Sequence, residues 1–327
     1  MEWDTQEKDG LDFRVLGPVE VHDHRSGARI APSGAKQRAL LAALVVRAGE
    51  VISAERLIDE LWGDRPPARA ANALQAHVAR LRRLLPGAGE DGPGRARIAT
   101  HPLGYLLRLG SASTDTQRFH LLSAQGRAAA VADPAHAADL LNRALDLWRG
   151  PALEGSGRGQ ICTREAEWLE QGRLTALETL CEVKLRGGGH AEVTGELERL
   201  MVAHPTRERF YDLLMLALYR CGRHSEALGV YERARQRLMG ELGVGPGPAL
   251  RARMEAILCR DPGLAAFEPP AARAVDPAVA DLDGEIARLR SRIDVLSREQ
   301  EELARRFRLL SGASTDSPAA IESQFPG

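Results

Sequence analysis

Apolar residues recur with two different periods in the first part of the chain. Over residues 11–21 they alternate with other residues, which is typical of two short strands. The helical period then predicts three helices, over residues 35–48, after the N-cap Ser53, and over residues 68–85. Residues 97–99 and 105–109 follow as the strands of a hairpin. This order predicts an α+β winged helix-turn-helix domain over residues 11–110.

Only the helical period remains from residue 114 to residue 262, where Gly and Pro interrupt it at intervals. The segments that start at Gly188 and Gly222 share Gly, His, Glu, Gly, Glu and Arg at matching positions, with an offset of 34 residues. A period of about 34 residues is that of tetratricopeptide helix pairs. We therefore predict an all-α, tetratricopeptide-like domain over residues 111–262.

A third pattern occupies residues 281–310, where leucine recurs at every seventh position and the alternate positions hold Ile286, Ile293, Gln300 and Phe307. Ile at a and Leu at d is the combination that favours parallel two-stranded coiled coils. The predicted contact positions of a homodimer are Leu282, Ile286, Leu289, Ile293, Leu296 and Leu303. The alternative is a helix that packs on the surface of its own protein. The acidic residues 1–10, the linker 263–280 and the tail 311–327 are predicted to be disordered.

Charge is distributed unevenly, although the 327 residues sum to a net charge of only -1. Residues 11–110 carry 15 Lys and Arg against 10 Asp and Glu, a balance of +5, whereas both ends of the chain are acidic. Within residues 65–108, eight arginines face only two acids. This stretch covers the third helix and the hairpin, so the sequence places a basic cluster there. The alternative is that these arginines only form a solvent-exposed charged surface with no binding partner.

The third predicted helix has an inward face of Leu74, Val78, Leu81 and Leu85. The opposite face, with its flanks, holds Arg69, Asn72, Gln75, Ala76, Ala79, Arg80, Arg82 and Arg83, and no acid. Arginine can bridge guanine, Asn and Gln can bridge adenine, and alanine permits close approach in the major groove. We therefore predict that this helix reads double-stranded DNA. We expect the hairpin to reach the adjacent backbone or minor groove through Arg95, Arg97, Thr100 and His101.

Extended segments of the chain resemble the Streptomyces antibiotic regulatory protein (SARP) family. FRVLGPVEV, the stretch from GAKQRALL to ARLRRLL, and THPLGYLLRL are similar to its DNA-binding domain. RFHLLSAQGRAAAVADPAHAADLLNRALDLWRGPAL and MLALYRCGRHSEALGVYERARQRLMGELGVGPGPAL are similar to its bacterial transcriptional activation domain. The resemblance covers residues 13–262. His101 stands where relatives often carry a wing arginine, which implies a weaker phosphate contact there.

The resemblance implies an OmpR/PhoB-type winged helix and a regulator of antibiotic or other secondary-metabolite biosynthesis. Such activators bind direct repeats near promoters and recruit RNA polymerase, with the sigma and alpha subunits as the expected partners. By position, the resemblance also implies that Trp62, Asp64 and Arg65 lie in a loop that faces the polymerase.

Enzymatic and metal-binding functions find little support in the sequence. The glycine-rich LEGSGRGQ lacks the lysine of a phosphate-binding loop, and His22 and His24 have no distant Cys or His partner. The four cysteines show no zinc spacing, the acidic start lacks a secretory signal, and the longest apolar run is too short to span a bilayer. We therefore predict a cytoplasmic, nucleoid-associated DNA-binding activator with no catalytic residue, metal, cofactor or membrane partner. The alternative is a tetratricopeptide-type adaptor or ligand-responsive regulator with auxiliary DNA binding.

Overall fold

The computed structural model of the protein describes residues 10–85, 97–110, 112–157 and 159–265. The predicted wing residue Arg95 and the predicted coiled-coil positions from Leu282 to Leu303 lie outside these ranges. The predicted disordered stretches 1–10, 263–280 and 311–327 lie wholly or mostly outside them as well.

The predicted strands, three helices and hairpin occur in the predicted order, whereas the apolar pattern does not predict the short strands at Ile52–Ser53 and Ser113–Thr114. Within the described ranges, the strands are β1 (Leu11–Arg14), β2 (Glu20–Asp23), β3 (Arg29–Ile30), β4 (Ile52–Ser53), β5 (Ile98–His101), β6 (Gly104–Leu107) and β7 (Ser113–Thr114). The helices are α1 (Ala35–Val46), α2 (Ala54–Trp62), α3 (Ala70–Leu84), α4 (Asp115–Ala129), α5 (Pro134–Leu145), α6 (Gln160–Arg186), α7 (His190–Ala203), α8 (Glu208–Arg220), α9 (His224–Leu242), α10 (Pro248–Leu258) and α11 (Pro262–Ala265).

Two small sheets flank the first three helices. One has the order β3-β2-β1-β7, in which β7 pairs with β1 in parallel and the other pairs are antiparallel. The other has the order β4-β6-β5 and is antiparallel throughout. Gly104 is required in β6, because a Cβ atom there would lie 1.9 Å from the carbonyl oxygen of Ile52 in β4. The hairpin β5–β6 is thereby held closely against β4, directly before α2.

The three helices pack around a core made mainly of leucine and valine. Ser53 caps α2 as predicted, since its hydroxyl accepts the backbone N–H of Arg56 at 3.2 Å. Leu74, Val78 and Leu81 of α3 are fully buried in this core. The inward face predicted for α3 is therefore confirmed, and the opposite side of the helix is left at the surface.

Helices α4 to α11 form the helical part of the molecule, which has two further apolar clusters, one of which also takes in Leu16. The two copies of the sequence repeat start α7 at His190 and α9 at His224, the same 34-residue offset. Each copy begins at a glycine with positive φ, Gly188 or Gly222, where the chain turns between helices. None of the described helices is both long and apolar enough to cross a membrane.

Buried carboxylates join the helical part to the strand-containing part, and we call this set of contacts the junction. Its charged members are Asp12, Arg14, Glu20, Glu60, Asp115, Arg118 and Arg149. The Asp115 carboxylate in α4 accepts the backbone N–H groups of Val15 and Leu16, each at 2.9 Å. The Glu60 carboxylate in α2 accepts the N–H groups of Ile161 and Cys162 in the first turn of α6, at 2.7 and 3.0 Å. The four-stranded sheet β3-β2-β1-β7 also includes β7, which lies beyond the domain boundary predicted at residue 110.

Three arginines complete the junction by pairing with its buried acids. Arg14 and Arg118 lie 2.7 and 3.0 Å from the Asp12 carboxylate, and Arg149 bridges Glu20 at 2.6 Å and Asp115 at 3.3 Å. Burial alone would raise the pKa of Asp12, but hydrogen bonds and charge from Arg118 and Arg14 outweigh it and hold that pKa below its ordinary value. At Asp115 burial prevails and raises the pKa of the carboxyl.

Candidate nucleic-acid interface

Helix α3 presents one exposed face without acidic residues, which we call the outer face of α3. Seven of the eight residues predicted for this helix are exposed on it: Arg69, Asn72, Gln75, Ala76, Ala79, Arg80 and Arg83. The 15 residues of α3 make a helix roughly 22 Å long, enough to lie in a major groove. Alanines alternate with the polar side chains, so a duplex can approach the backbone closely between the arginines.

The eighth predicted residue, Arg82, is placed differently. Its side chain is half-buried and turns toward the hairpin. The Nε group donates to the carbonyl oxygen of Ile98 at 2.8 Å, and a terminal nitrogen donates to the hydroxyl of Thr100 at 2.7 Å. Arg82 therefore ties α3 to β5 and is not a member of the outer face of α3. A helical wheel places Arg82 on the flank of the face, but it contains no information about a partner 18 residues further along the chain.

The hairpin β5–β6 offers fewer cations than the sequence suggests. Arg97 is only 7% exposed and donates to the carbonyl oxygen of Leu109 at 2.7 Å. Burial lowers the pKa of its guanidinium, and the nearby Arg25 adds to this. This placement contradicts the expectation that Arg97 reaches a phosphate. Thr100 and His101 are exposed, with the Nδ1 atom of His101 accepting the N–H of Leu103 at 3.3 Å.

Trp62, the last residue of α2, lies beside α3. The indole is half-buried, with the ring of His77 6.0 Å away and the Lys36 ammonium 6.0 Å from its centre. Burial, followed by the charges of Arg80 and Lys36, lowers the pKa of the His77 imidazole. Asp64 and Arg65 lie in the loop that follows α2, and both are exposed. The three residues assigned to the polymerase-facing loop thus lie next to α3, and two of them are freely accessible.

The described residues contain no group of three or more His, Cys, Asp or Glu side chains that could hold a metal ion. His22 and His24 lie near each other, with ring centres 5.0 Å apart. The largest surprise relative to the sequence is Glu60, which is buried between Leu57 and Leu61 of α2 and caps α6. A glutamate inside an otherwise apolar helix face was the available signal for this contact.

Two families match the chain, one over each part. The family described as "Transcriptional regulatory protein, C terminal" matches residues 31–107, which include α3 and the hairpin. The family described as "Bacterial transcriptional activator domain" matches residues 114–258, which lie in the helical part.

The chain is also similar to three regulators from Streptomyces. The transcriptional regulator RedD of Streptomyces coelicolor is 44% identical over 256 residues, which cover 78% of this chain and 72% of RedD. The regulatory protein DnrI of Streptomyces peucetius is 36% identical over 274 residues, which cover 83% of this chain and all of DnrI. The regulatory protein AfsR of Streptomyces coelicolor is 41% identical over 313 residues, 92% of this chain but only 30% of AfsR.

One solved structure resembles the whole arrangement. It is that of Mycobacterium tuberculosis EmbR in complex with a low affinity phosphopeptide, with a TM-score of 0.72 and 35% sequence identity. The match covers 83% of this chain and 71% of EmbR. A mixed strand-and-helix part followed by a helical part is therefore common to the two proteins.

Proposed function

The chain belongs to the Streptomyces antibiotic regulatory protein family of transcriptional activators, and from that premise we propose that it reads promoter DNA with the outer face of α3. The family consists of regulators and not of enzymes. The observation that carries the proposal is that Asn72, Arg80 and Arg83 are exposed together on a helix face without acids. Base edges in the major groove present the acceptors and donors that Asn72 and Arg80 match, whereas Arg83, in the last turn of α3, can hold a phosphate.

The strand-containing part would act as an OmpR/PhoB-type winged helix, with hairpin β5–β6 as its wing. Two sheets around three helices, with the hairpin packed beside α3, support that assignment. The helical part would be tetratricopeptide-like, because α7 and α9 repeat with the period of such helix pairs. Recruitment of RNA polymerase would use Trp62, Asp64 and Arg65, with its sigma and alpha subunits as the expected contacts. The protein would then act at the nucleoid, on a cluster for antibiotic or other secondary-metabolite synthesis.

The test removes two cations from the outer face of α3. Replacing Arg80 and Arg83 with alanine should weaken binding about 100-fold or more, since each arginine–DNA contact contributes on the order of 1–3 kcal/mol. The measurement is a gel-shift titration on a duplex that the unsubstituted protein selects from a randomised pool. The control is the double variant Arg143→Ala/Arg251→Ala, which removes the same charge from exposed positions of α5 and α10. Binding that is equal in both variants would favour the adaptor alternative.

Self-association through residues 281–310 is a separate part of the proposal and rests on the leucine and isoleucine spacing. Removal of residues 281–310 should halve the mass measured by light scattering. A full-length chain that is already monomeric at micromolar concentration would contradict it. The outer face of α3 is not involved in self-association. The two parts of the proposal, DNA recognition and dimer formation, can therefore be tested independently.

A further inference from the structure

Arg82 makes two hydrogen bonds that link two separate elements of the DNA interface. Its guanidinium donates to the carbonyl oxygen of Ile98 at 2.8 Å and to the hydroxyl of Thr100 at 2.7 Å, so one planar fork spans two acceptors on β5. Ile98 is itself fixed, because its side chain is buried and its backbone pairs with Leu107 of β6. The hairpin is therefore attached to the last turn of α3 through Arg82.

We propose that Arg82 is a positioning residue for DNA recognition: it sets the hairpin against α3 and orients the Thr100 hydroxyl toward a phosphate. The inference rests on the proposed DNA-binding function and goes beyond it by assigning separate tasks to adjacent arginines. Arg83 faces the duplex, whereas Arg82 acts through Thr100.

The chemistry of the contact determines the direction of the Thr100 hydroxyl. A guanidinium can only donate hydrogen bonds, so the Thr100 oxygen must accept from Arg82. The hydroxyl proton is then left to donate to another acceptor, and Thr100 is exposed. A phosphate oxygen of the backbone beside the major groove is an acceptor of this kind. Thr100 thus retains its predicted role as a DNA contact, and Arg82 loses the role first expected of it.

A phosphate contact and a positioning contact respond differently to lysine. Lysine binds phosphate well as a point charge, so Arg→Lys at a phosphate contact preserves most of the affinity. Lysine has no planar fork and cannot hold the Ile98 carbonyl and the Thr100 hydroxyl in the same way. The adjacent residues therefore offer a matched pair of variants, Arg82→Lys and Arg83→Lys.

The first experiment measures the dissociation constant of the full chain for the selected duplex. We expect Arg82→Ala and Arg82→Lys to bind about tenfold more weakly, the loss expected from one charge-assisted hydrogen bond, whereas Arg83→Lys stays within about threefold of the unsubstituted protein. Near-full affinity for Arg82→Lys would overturn the proposal. Loss of DNA binding by Arg80→Ala/Arg83→Ala tests the proposed function separately, since that variant leaves Arg82 and Thr100 in place.

The second experiment is a double-mutant cycle with milder substitutions. Thr100→Val removes the hydroxyl at constant shape and should weaken binding, whereas Thr100→Ser keeps the hydroxyl and should retain it. Combining Thr100→Val with Arg82→Ala should cost little more than Arg82→Ala alone, because both changes remove the same contact. Losses that simply add would show that Arg82 does not act through Thr100, and would overturn the proposal even if Arg82→Lys destabilised the fold.

Discussion

The outer face of α3 and the junction are both rich in arginine, but they use it in opposite ways. Arg80 and Arg83 are exposed on α3, where each can meet a ligand outside the chain. Arg118 and Arg149 are only 23% and 26% exposed, and each pairs with carboxylates that are almost fully buried. The difference shows that the number of arginines in a segment does not indicate its function. What distinguishes the two regions is whether a buried acid lies within reach.

The energetics of the two regions differ for the same reason. Removing one partner of a buried ion pair leaves an uncompensated charge and typically costs about 3–5 kcal/mol. An exposed arginine without a close acid contributes little to stability, so its loss is visible only in binding. Substitutions in one region should therefore affect folding, and substitutions in the other should affect recognition.

The largest expected effect is at Asp115. Asp115→Ala leaves the buried N–H groups of Val15 and Leu16 without an acceptor and removes one partner of Arg149. We expect a loss of about 3–5 kcal/mol, seen as a drop in Tm of roughly 10 °C in thermal unfolding. The double variant Arg80→Ala/Arg83→Ala should change Tm by no more than about 2 °C, although we expect it to weaken DNA binding about 100-fold or more.

An exposed acid on a neighbouring helix provides the control. Asp139 lies on the surface of α5, and Asp139→Ala removes the same kind of group without disturbing the junction. Its Tm should stay close to that of the unsubstituted protein. If Asp115→Ala and Asp139→Ala unfold at the same temperature, the junction does not stabilise the fold. The proposed difference between the junction and the outer face of α3 would then be wrong.

Much of α3 and its core could be predicted from the sequence, and the junction could not. The 3.6-residue period places Leu74, Val78 and Leu81 inward, so the opposite side follows from geometry alone. Asp115 bonds to Val15, 100 residues away, and the pattern within one helix carries no information about such a partner. The burial of Arg97 could not be predicted either. Its guanidinium donates to the carbonyl oxygen of Leu109, a partner that is set by the path of the hairpin and not by the pattern around Arg97.

The second prediction concerns pH and Asp12 of the junction. The pKa of Asp12 in the folded chain lies below its ordinary value of 3.8, so its ionised form stabilises the fold. This contribution is fully present above about pH 4 and is lost as the pH falls through the lowered pKa. Asp12→Asn should therefore be less stable than the unsubstituted protein at pH 7, and the gap in free energy of unfolding should narrow below about pH 4.

Chemical denaturation at a series of pH values measures that gap. The variant Arg83→Ala is a useful reference, because its difference from the unsubstituted protein should be small and independent of pH. A gap for Asp12→Asn that stays constant down to pH 3 would mean that the Arg118 and Arg14 pairs do not stabilise the Asp12 carboxylate.

The smallest effect is a change in cysteine reactivity that reports whether the junction opens. Cys221 and Cys259 are exposed, whereas Cys162 and Cys181 are buried. Burial, followed by the Glu60 charge, raises the pKa of the Cys162 thiol, and burial raises that of Cys181 to about 12. At pH 8 we expect two thiols to react promptly with a disulfide reagent and two to react slowly.

Cys162 lies at the contact between α2 and α6, where its N–H donates to Glu60 at 3.0 Å. Its slow labelling, followed by mass spectrometry, therefore measures how often this contact separates. Asp115→Ala weakens the other half of the junction and should speed the labelling of Cys162 more than that of Cys181, whereas Arg80→Ala/Arg83→Ala should change neither rate. Equal acceleration at both cysteines would mean that the chain unfolds globally and that the junction does not open as a unit of its own. Acceleration confined to Cys162 would instead show that the contact between α2 and α6 opens while the cluster around Cys181 stays protected.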